Sequence, residues 1–269
     1  MKLIFILILF LFPFYLFLIT PRMRKKADRT PFLNFHYAHR GLFDNTSDAP
    51  ENSLLAFQKA VDAGYGIELD VQLSKDNQLV IFHDSTLKRM CGVEGHVWDY
   101  TLEELQQMKL ADSDQTIPAF QDFLKVVNGK VPFILEYKLD RPQTKVCKLA
   151  NEALKNYSGA YCIESFHPLA LLWYRKHRPD VLRGQLSEEF FHEEKYKKKL
   201  HFTLLSFLLF NFAGRPDFIA YNHLHADNIS RRICKKLGAL SVTYTIKSKE
   251  EYLKNKKNFD LFIFDSCRI

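Results

Sequence analysis

A chain of 269 residues, 47% hydrophobic and 26% charged, has the size of one barrel-sized domain and is too apolar for a disordered protein. Its net charge of +7 suits an anionic partner, a phosphate ester or a phospholipid surface; scattered basic residues without a DNA- or RNA-binding motif argue against nucleic acid. Five cysteines without a CxxC or zinc spacing argue against a disulfide framework and fit free thiols in a reducing compartment.

Residues 3–20 form an uncharged, nearly all-apolar run, LIFILILFLFPFYLFLIT. As a helix it would be about 27 Å long, close to a hydrocarbon core of about 30 Å, and Pro13 can kink such a helix without ending it. A lone Lys2 before it and no small-x-small site after it favour an uncleaved anchor over a signal peptide. Arg22, Arg24, Lys25, Lys26 and Arg29 crowd the far flank, which by the positive-inside rule directs the rest of the chain to the cytoplasm. We therefore expect an N-terminal transmembrane anchor at 1–21, a basic linker at 22–34, and a single-pass membrane protein with a cytoplasmic catalytic domain.

From residue 35 onward, short β-type runs alternate with amphipathic helical stretches, the pattern of an α/β fold with a parallel sheet. Strands are expected at 35–39, 66–72, 132–138, 160–165, 182–186, 217–222, 240–246 and 261–265. Helices are expected at 52–63, 119–128, 143–156, 168–177, 227–237 and 248–255. Eight strand-helix units predict a (β/α)8 TIM barrel over 35–269. A further strand at 79–83 would form a hairpin through the turn at 74–77. It opens an insertion of about 73–117, whose small helix at 101–109 begins with a capping box of Thr101 and Glu104.

Active sites of such barrels lie at the C-terminal ends of the strands. Here those ends carry His39, Asp70, Glu136 with Lys138, Ser165, Gln185, Asn222, Tyr244 and Asp265. In a strand, residues i and i+2 share a face, so Glu68 and Asp70 point the same way and, with Glu136 on the next strand, can hold one hard divalent cation, Mg²⁺ or Ca²⁺. Oxygen ligands without cysteine disfavour zinc, although His39 and His83 leave it formally open. The two histidines can exchange protons near neutral pH, Arg40 can hold a phosphate oxygen, and Lys138 shares the face of Glu136.

The motifs AHRG (38–41), PENS (50–53), IELDVQLSKDNQLVIFHD (67–84), IP (117–118), LEYK (135–138) and SF (165–166) occur in order. With them the chain resembles the glycerophosphodiester phosphodiesterases over about residues 35–265. The resemblance implies a (β/α)8 barrel in which His39 and His83 are the catalytic acid/base pair, Glu68, Asp70 and Glu136 hold the metal, and Arg40 and Lys138 contact phosphate. It implies hydrolysis of glycerophosphodiesters, deacylated phospholipids or lysophospholipids, to glycerol 3-phosphate or a related phosphomonoester plus an alcohol. A phospholipase D-like lyase forming cyclic phosphates, or a non-catalytic membrane-bound binding barrel, are the alternatives. Two departures stand at the mouth: Tyr244 where the family usually has Trp, and Phe264-Asp265 where it often has Thr-Asp.

Outside these motifs, Glu51 and Asn52 are expected to shape the first loop and cap its helix, and Asp84 to orient His83. His167, His177, His192, His201, His223 and His225 read as surface or helix-end residues. Residues 200–213, LHFTLLSFLLFNFA, follow Lys195, Lys197, Lys198 and Lys199 and read as a buried or interfacial helix that would bring the mouth to a membrane lipid surface.

Overall fold

The computed structural model describes residues 2–139, 143–192, 194, 196, 199–265 and 267–269. Nine strands form its sheet: β1 (Tyr37–His39), β2 (Gly66–Leu73), β3 (Leu79–Ile81), β4 (Phe133–Tyr137), β5 (Tyr161–Ser165), β6 (Arg183–Ser187), β7 (Phe218–Asn222), β8 (Leu240–Ile246) and β9 (Leu261–Phe264). All except β3 run parallel, and β1 pairs with both β2 and β9, which closes an eight-stranded TIM barrel. β3 is antiparallel to β2 and stands outside the closed ring.

The strands are apolar on both faces because both are covered, as parallel strands require. Outward-facing Ile67, Leu69, Leu135, Ile163 and Ile219 pack against the surrounding helices in the main core. Helix Phe120–Val127 shows how: it buries Phe120, Phe123, Leu124 and Val127 at helical spacing and stops where Asn128 turns left-handed (φ 42°). Inward-facing residues form a second cluster, with Tyr37, Ile134, Cys162, Phe218, Leu240, Leu261 and Ile263 filling the barrel. Phe32 from the basic segment joins this plug, its carbonyl accepting a hydrogen bond from the Tyr37 hydroxyl. Farther along β1, β2, β4 and β5 the inward positions turn polar, at His39, Asp70, Glu136 and Glu164. An apolar floor thus supports a charged layer.

The insertion has its own small core of Val80, Phe82, Leu87, Met90, Val97, Leu105, Leu110 and Ile117. Its helix, Leu102–Leu105, is shorter than expected but carries the full Thr101–Glu104 capping box.

The transmembrane anchor is corrected by the structure. Among the described residues no helix is long and apolar enough to cross a membrane, so the single-pass localisation and its cytoplasmic orientation fall with it. Helix Lys2–Ile19 instead commits its C-terminal part to the barrel flank. Ile19 is fully buried, and its carbonyl accepts hydrogen bonds from Asn211 Nδ2 (2.9 Å) and Cys234 Sγ (3.2 Å). Arg215 donates to the carbonyls of Phe17 and Thr20, and Tyr15 Oη lies 2.8 Å from Ser230 Oγ. Ile19 is covered by protein while Phe10, Leu11, Phe12, Phe14 and Phe17 stay exposed, a division that an unbroken apolar run does not show.

The apolar stretch at 200–213 divides into two short helices, Leu200–Ser206 and Asn211–Gly214. Leu205, Ser206, Leu208 and Asn211 are buried, and Ser206 Oγ donates to Phe202 O while accepting from Phe190 N. Lys195, Lys197 and Lys198 lie outside the described residues.

Candidate active site

Strand register decides which side chains meet at the mouth. His39 pairs with Glu68 across β1 and β2, Asp70 with Glu136 across β2 and β4, and Glu136 with Glu164 across β4 and β5. Register partners on neighbouring strands project to the same face, so these groups line one end of the barrel. A cavity of about 180 Å³ opens among them, bounded by His39, Arg40, His83, Lys138, Glu68, Glu136 and Glu164, with an apolar arc of Phe166, Leu186, Tyr244 and Ile263.

Glu68, Asp70 and Glu136 are all buried, and each offers a carboxylate oxygen within 4.8 Å of the others. Burial, with the neighbouring carboxylates, pushes Glu68 well above its usual range. Burial also raises Glu136, although Lys138 opposes it. Burial would raise Asp70 too, yet Lys138, His83 and Arg40 hold it well below. Lys138 Nζ lies 2.9 Å from Asp70 Oδ1 and 2.6 Å from Glu136 Oε1, and these partners raise its pKa against burial. Three convergent hard oxygen donors, whose carboxylates outnumber the two cations against them, Lys138 and Arg40, fit a divalent cation such as Mg²⁺ or Ca²⁺.

Each histidine is oriented by a carboxylate. His39 Nδ1 lies 3.2 Å from Asp265 Oδ2, and His83 Nδ1 lies 2.6 Å from Asp84 Oδ1. Burial first, then the Arg40 guanidinium, lowers His39 to about 4. Arg89 of the insertion donates to both Asp84 and Glu51, and Arg40 donates to Glu51 at 2.7 Å. An ionic chain therefore runs from His83 through Asp84, Arg89 and Glu51 to Arg40.

The backbone around Arg40 explains the small residue after it. Arg40 and Gly41 both have positive φ (57° and 86°), and a Cβ on Gly41 would sit 2.8 Å from the Ala56 carbonyl carbon. Only glycine accepts both the conformation and the approach.

Several expected assignments change. Asn52 does not cap the following helix: Ser53 does, accepting from Ala56 N, while Asn52 Nδ2 donates to Asp70 Oδ2 at 2.8 Å. Ser165 and Gln185 are turned from the mouth and tie strand ends together, Ser165 to the Tyr137 carbonyl and Gln185 to the carbonyls of Ser165, Phe166 and Leu186. Their places at the cavity are taken by Glu164 and Leu186. Glu164 was missed because the chain neighbour, Ser165, ends the strand; the i, i+2 parity from Cys162 was the available signal. Its Oε2 is buried without a hydrogen-bond partner, and burial followed by Glu136 raises its carboxyl well above the usual range. Tyr244 does line the cavity, its hydroxyl donating to Ser187 O at 2.9 Å and its ring edge-on to Phe166 at 6.1 Å. His167 caps helix Pro168–His177 and His177 ends it, as expected, whereas His192 and His225 meet beside Glu189.

The sequence profile of the glycerophosphoryl diester phosphodiesterase family matches residues 39–267. The chain belongs to this family. It is an enzyme of the phosphoric diester hydrolase class. A glycerophosphodiester phosphodiesterase of Caldanaerobacter subterraneus subsp. tengcongensis is 28% identical over 228 residues, 80% of this chain and 86% of that protein. One from Bacillus altitudinis is 31% identical over 169 residues, 58% of this chain and 68% of its relative. Among solved structures, the glycerophosphodiester phosphodiesterase of Thermotoga maritima superposes with a TM-score of 0.65 at 25% identity, covering 87% of this chain and 95% of that one. A phosphodiesterase of Oleispira antarctica, solved with the product sn-glycerol-3-phosphate, reaches 0.69 at 24% identity, covering 87% and 94%, and shares the fold.

Proposed function

We propose that the chain hydrolyses glycerophosphodiesters, deacylated phospholipids or lysophospholipids, to glycerol 3-phosphate or a related phosphomonoester and an alcohol. The observation that carries this reading is the convergence of His39, His83, Arg40, Lys138 and three carboxylates on one cavity. Glu68, Asp70 and Glu136 would hold Mg²⁺ or Ca²⁺, which supplies charge neutralisation and polarises a phosphoryl oxygen. Arg40 and Lys138 bind the remaining phosphate oxygens, Arg40 through its planar fork and Lys138 as a point charge.

His39, kept neutral by burial, takes the proton of the attacking hydroxyl. That hydroxyl, from the glycerol of the substrate, closes a cyclic phosphate as the bond from phosphorus to the leaving oxygen breaks. His83, its Nδ1 against Asp84, delivers a proton to the leaving oxygen, and water then opens the ring to the monoester with the proton transfers reversed. Asp265 and Asp84 fix the ring orientations so that each Nε2 can face the substrate. Tyr244 and Phe166 form the wall on which the organic part of the diester rests. A panel of glycerophosphodiesters and lysophospholipids, assayed with Mg²⁺, Ca²⁺ or EDTA, tests this reading. Turnover of at least one with a divalent ion, and none in EDTA, is expected; no turnover of any under either metal contradicts it.

A further inference from the structure

Beyond the catalytic cavity, the segments that follow β6 and β7 bring Glu189, His192 and His225 together on the mouth side of the barrel. A potential ligand atom from each lies within 4.8 Å of the other two. His192 Nε2 is 3.1 Å from Glu189 Oε2, and the two imidazoles stack with centroids 5.5 Å apart and planes at 22°. With metal–ligand bonds near 2.0–2.1 Å, the edge of a tetrahedral zinc site is about 3.3 Å, so the His192–Glu189 separation already has that length. Asn228 Nδ2 donates to Glu189 Oε1 at 3.1 Å and leaves Oε2 directed at His192, the outer-sphere support that holds a ligating carboxylate in place.

The geometry points to a second metal site here, one that takes zinc through Glu189, His192 and His225. Two imidazoles and a carboxylate are a borderline-soft donor set, distinct from the all-oxygen set of Glu68, Asp70 and Glu136. His225 Nδ1 accepts a long hydrogen bond (3.3 Å) from the Glu189 backbone N–H. Zinc binding through Nε2 exchanges that contact for a proton on Nδ1, so ligation costs one weak hydrogen bond. His192 is exposed and the other two are half-buried, which gives an ion an entry path and leaves a fourth position to water. The ion would staple the segment after β6 to the turn after β7. That segment starts directly after Ser187, the last residue of β6, whose carbonyl accepts from the Tyr244 hydroxyl on the cavity wall.

The test is a titration of untagged, metal-stripped full-length protein with Zn²⁺ in excess Mg²⁺, which fills the oxygen site, alongside Co²⁺ as a spectroscopic probe. One equivalent of zinc and intense four-coordinate Co²⁺ absorption are expected. His192→Gln and His225→Gln should each weaken zinc binding on the order of 100-fold, and Asn228→Ala about 10-fold, with far-ultraviolet circular dichroism unchanged. Glu68→Gln should leave zinc binding intact. Absence of a stoichiometric zinc, or zinc binding that survives both histidine variants or vanishes in Glu68→Gln, overturns the assignment.

Discussion

His39 Nδ1 and Asp265 Oδ2 lie 3.2 Å apart although 226 residues separate them in the chain. The contact exists because the barrel closes, setting the first strand beside the last. It fixes the ring that faces Glu68 across the cavity, with His39 Nε2 3.9 Å from Glu68 Oε2. Asp265→Asn should therefore reduce kcat by about 100-fold while changing KM little, because it loosens the ring without touching substrate. Steady-state kinetics beside a thermal melt measure this; unchanged kcat in a folded variant would show that Asp265 does not orient His39.

If His83 protonates the leaving oxygen, its importance depends on how poor that leaving group is. His83→Ala should lose about 1,000-fold on an alkyl diester but far less on a p-nitrophenyl diester, whose leaving oxygen needs no proton. Equal losses on both substrates would reassign His83.

The Glu51 carboxylate makes a pH prediction of definite sign. Burial would raise it, but Arg89, Arg40 and Asn45 outweigh burial and hold it at about 2 in the folded protein against an ordinary 4.5. A depressed folded value contributes stability above pH 4.5 that disappears as pH falls toward 2. Glu51→Gln should therefore cost about 2–3 kcal/mol at pH 7, allowing for the half-exposed Arg89 partner. Urea denaturation at pH 7, 4.5 and 3 should show the gap between the two proteins narrowing with acidity. A gap independent of pH would contradict the ionic account.

Gly41→Ala places a methyl against the backbone of helix Leu54–Asp62 at a positive φ. A loss on the order of 2–4 kcal/mol follows from strain and clash together, and a lowered Tm reads it. A neutral effect would mean that the Arg40 loop is less tightly set than its contacts with Ala56 indicate.

Much of this molecule was legible in its sequence, and the exceptions share a cause. The eight parallel strands announced themselves as short apolar runs, and the HRG, Glu-x-Asp and Glu-Tyr-Lys motifs lay at strand ends where side-chain parity places them together. Glu164 escaped because one residue of register turns a strand end from the cavity to the backbone. The cap fell to Ser53 rather than Asn52 because both residue types cap helices, and only the left-handed backbone at Asn52 separates them. The first helix was misassigned because its apolar run carries no mark of the contacts that tie Tyr15 and Ile19 to the barrel flank. The meeting of His192 with His225 depends on two separate βα segments, which no local pattern reports.

The central claim is metal-supported acid/base hydrolysis at the His39–His83 cavity. Phosphorus NMR of glycerophosphocholine incubated with the magnesium- or calcium-loaded protein tests it most directly, with His39→Ala and Glu136→Gln run in parallel. The account predicts conversion to glycerol 3-phosphate and free choline by the wild type, and no detectable product from either variant although both remain folded. Near-normal turnover by His39→Ala, or a cyclic phosphate that accumulates without becoming a monoester, would contradict it.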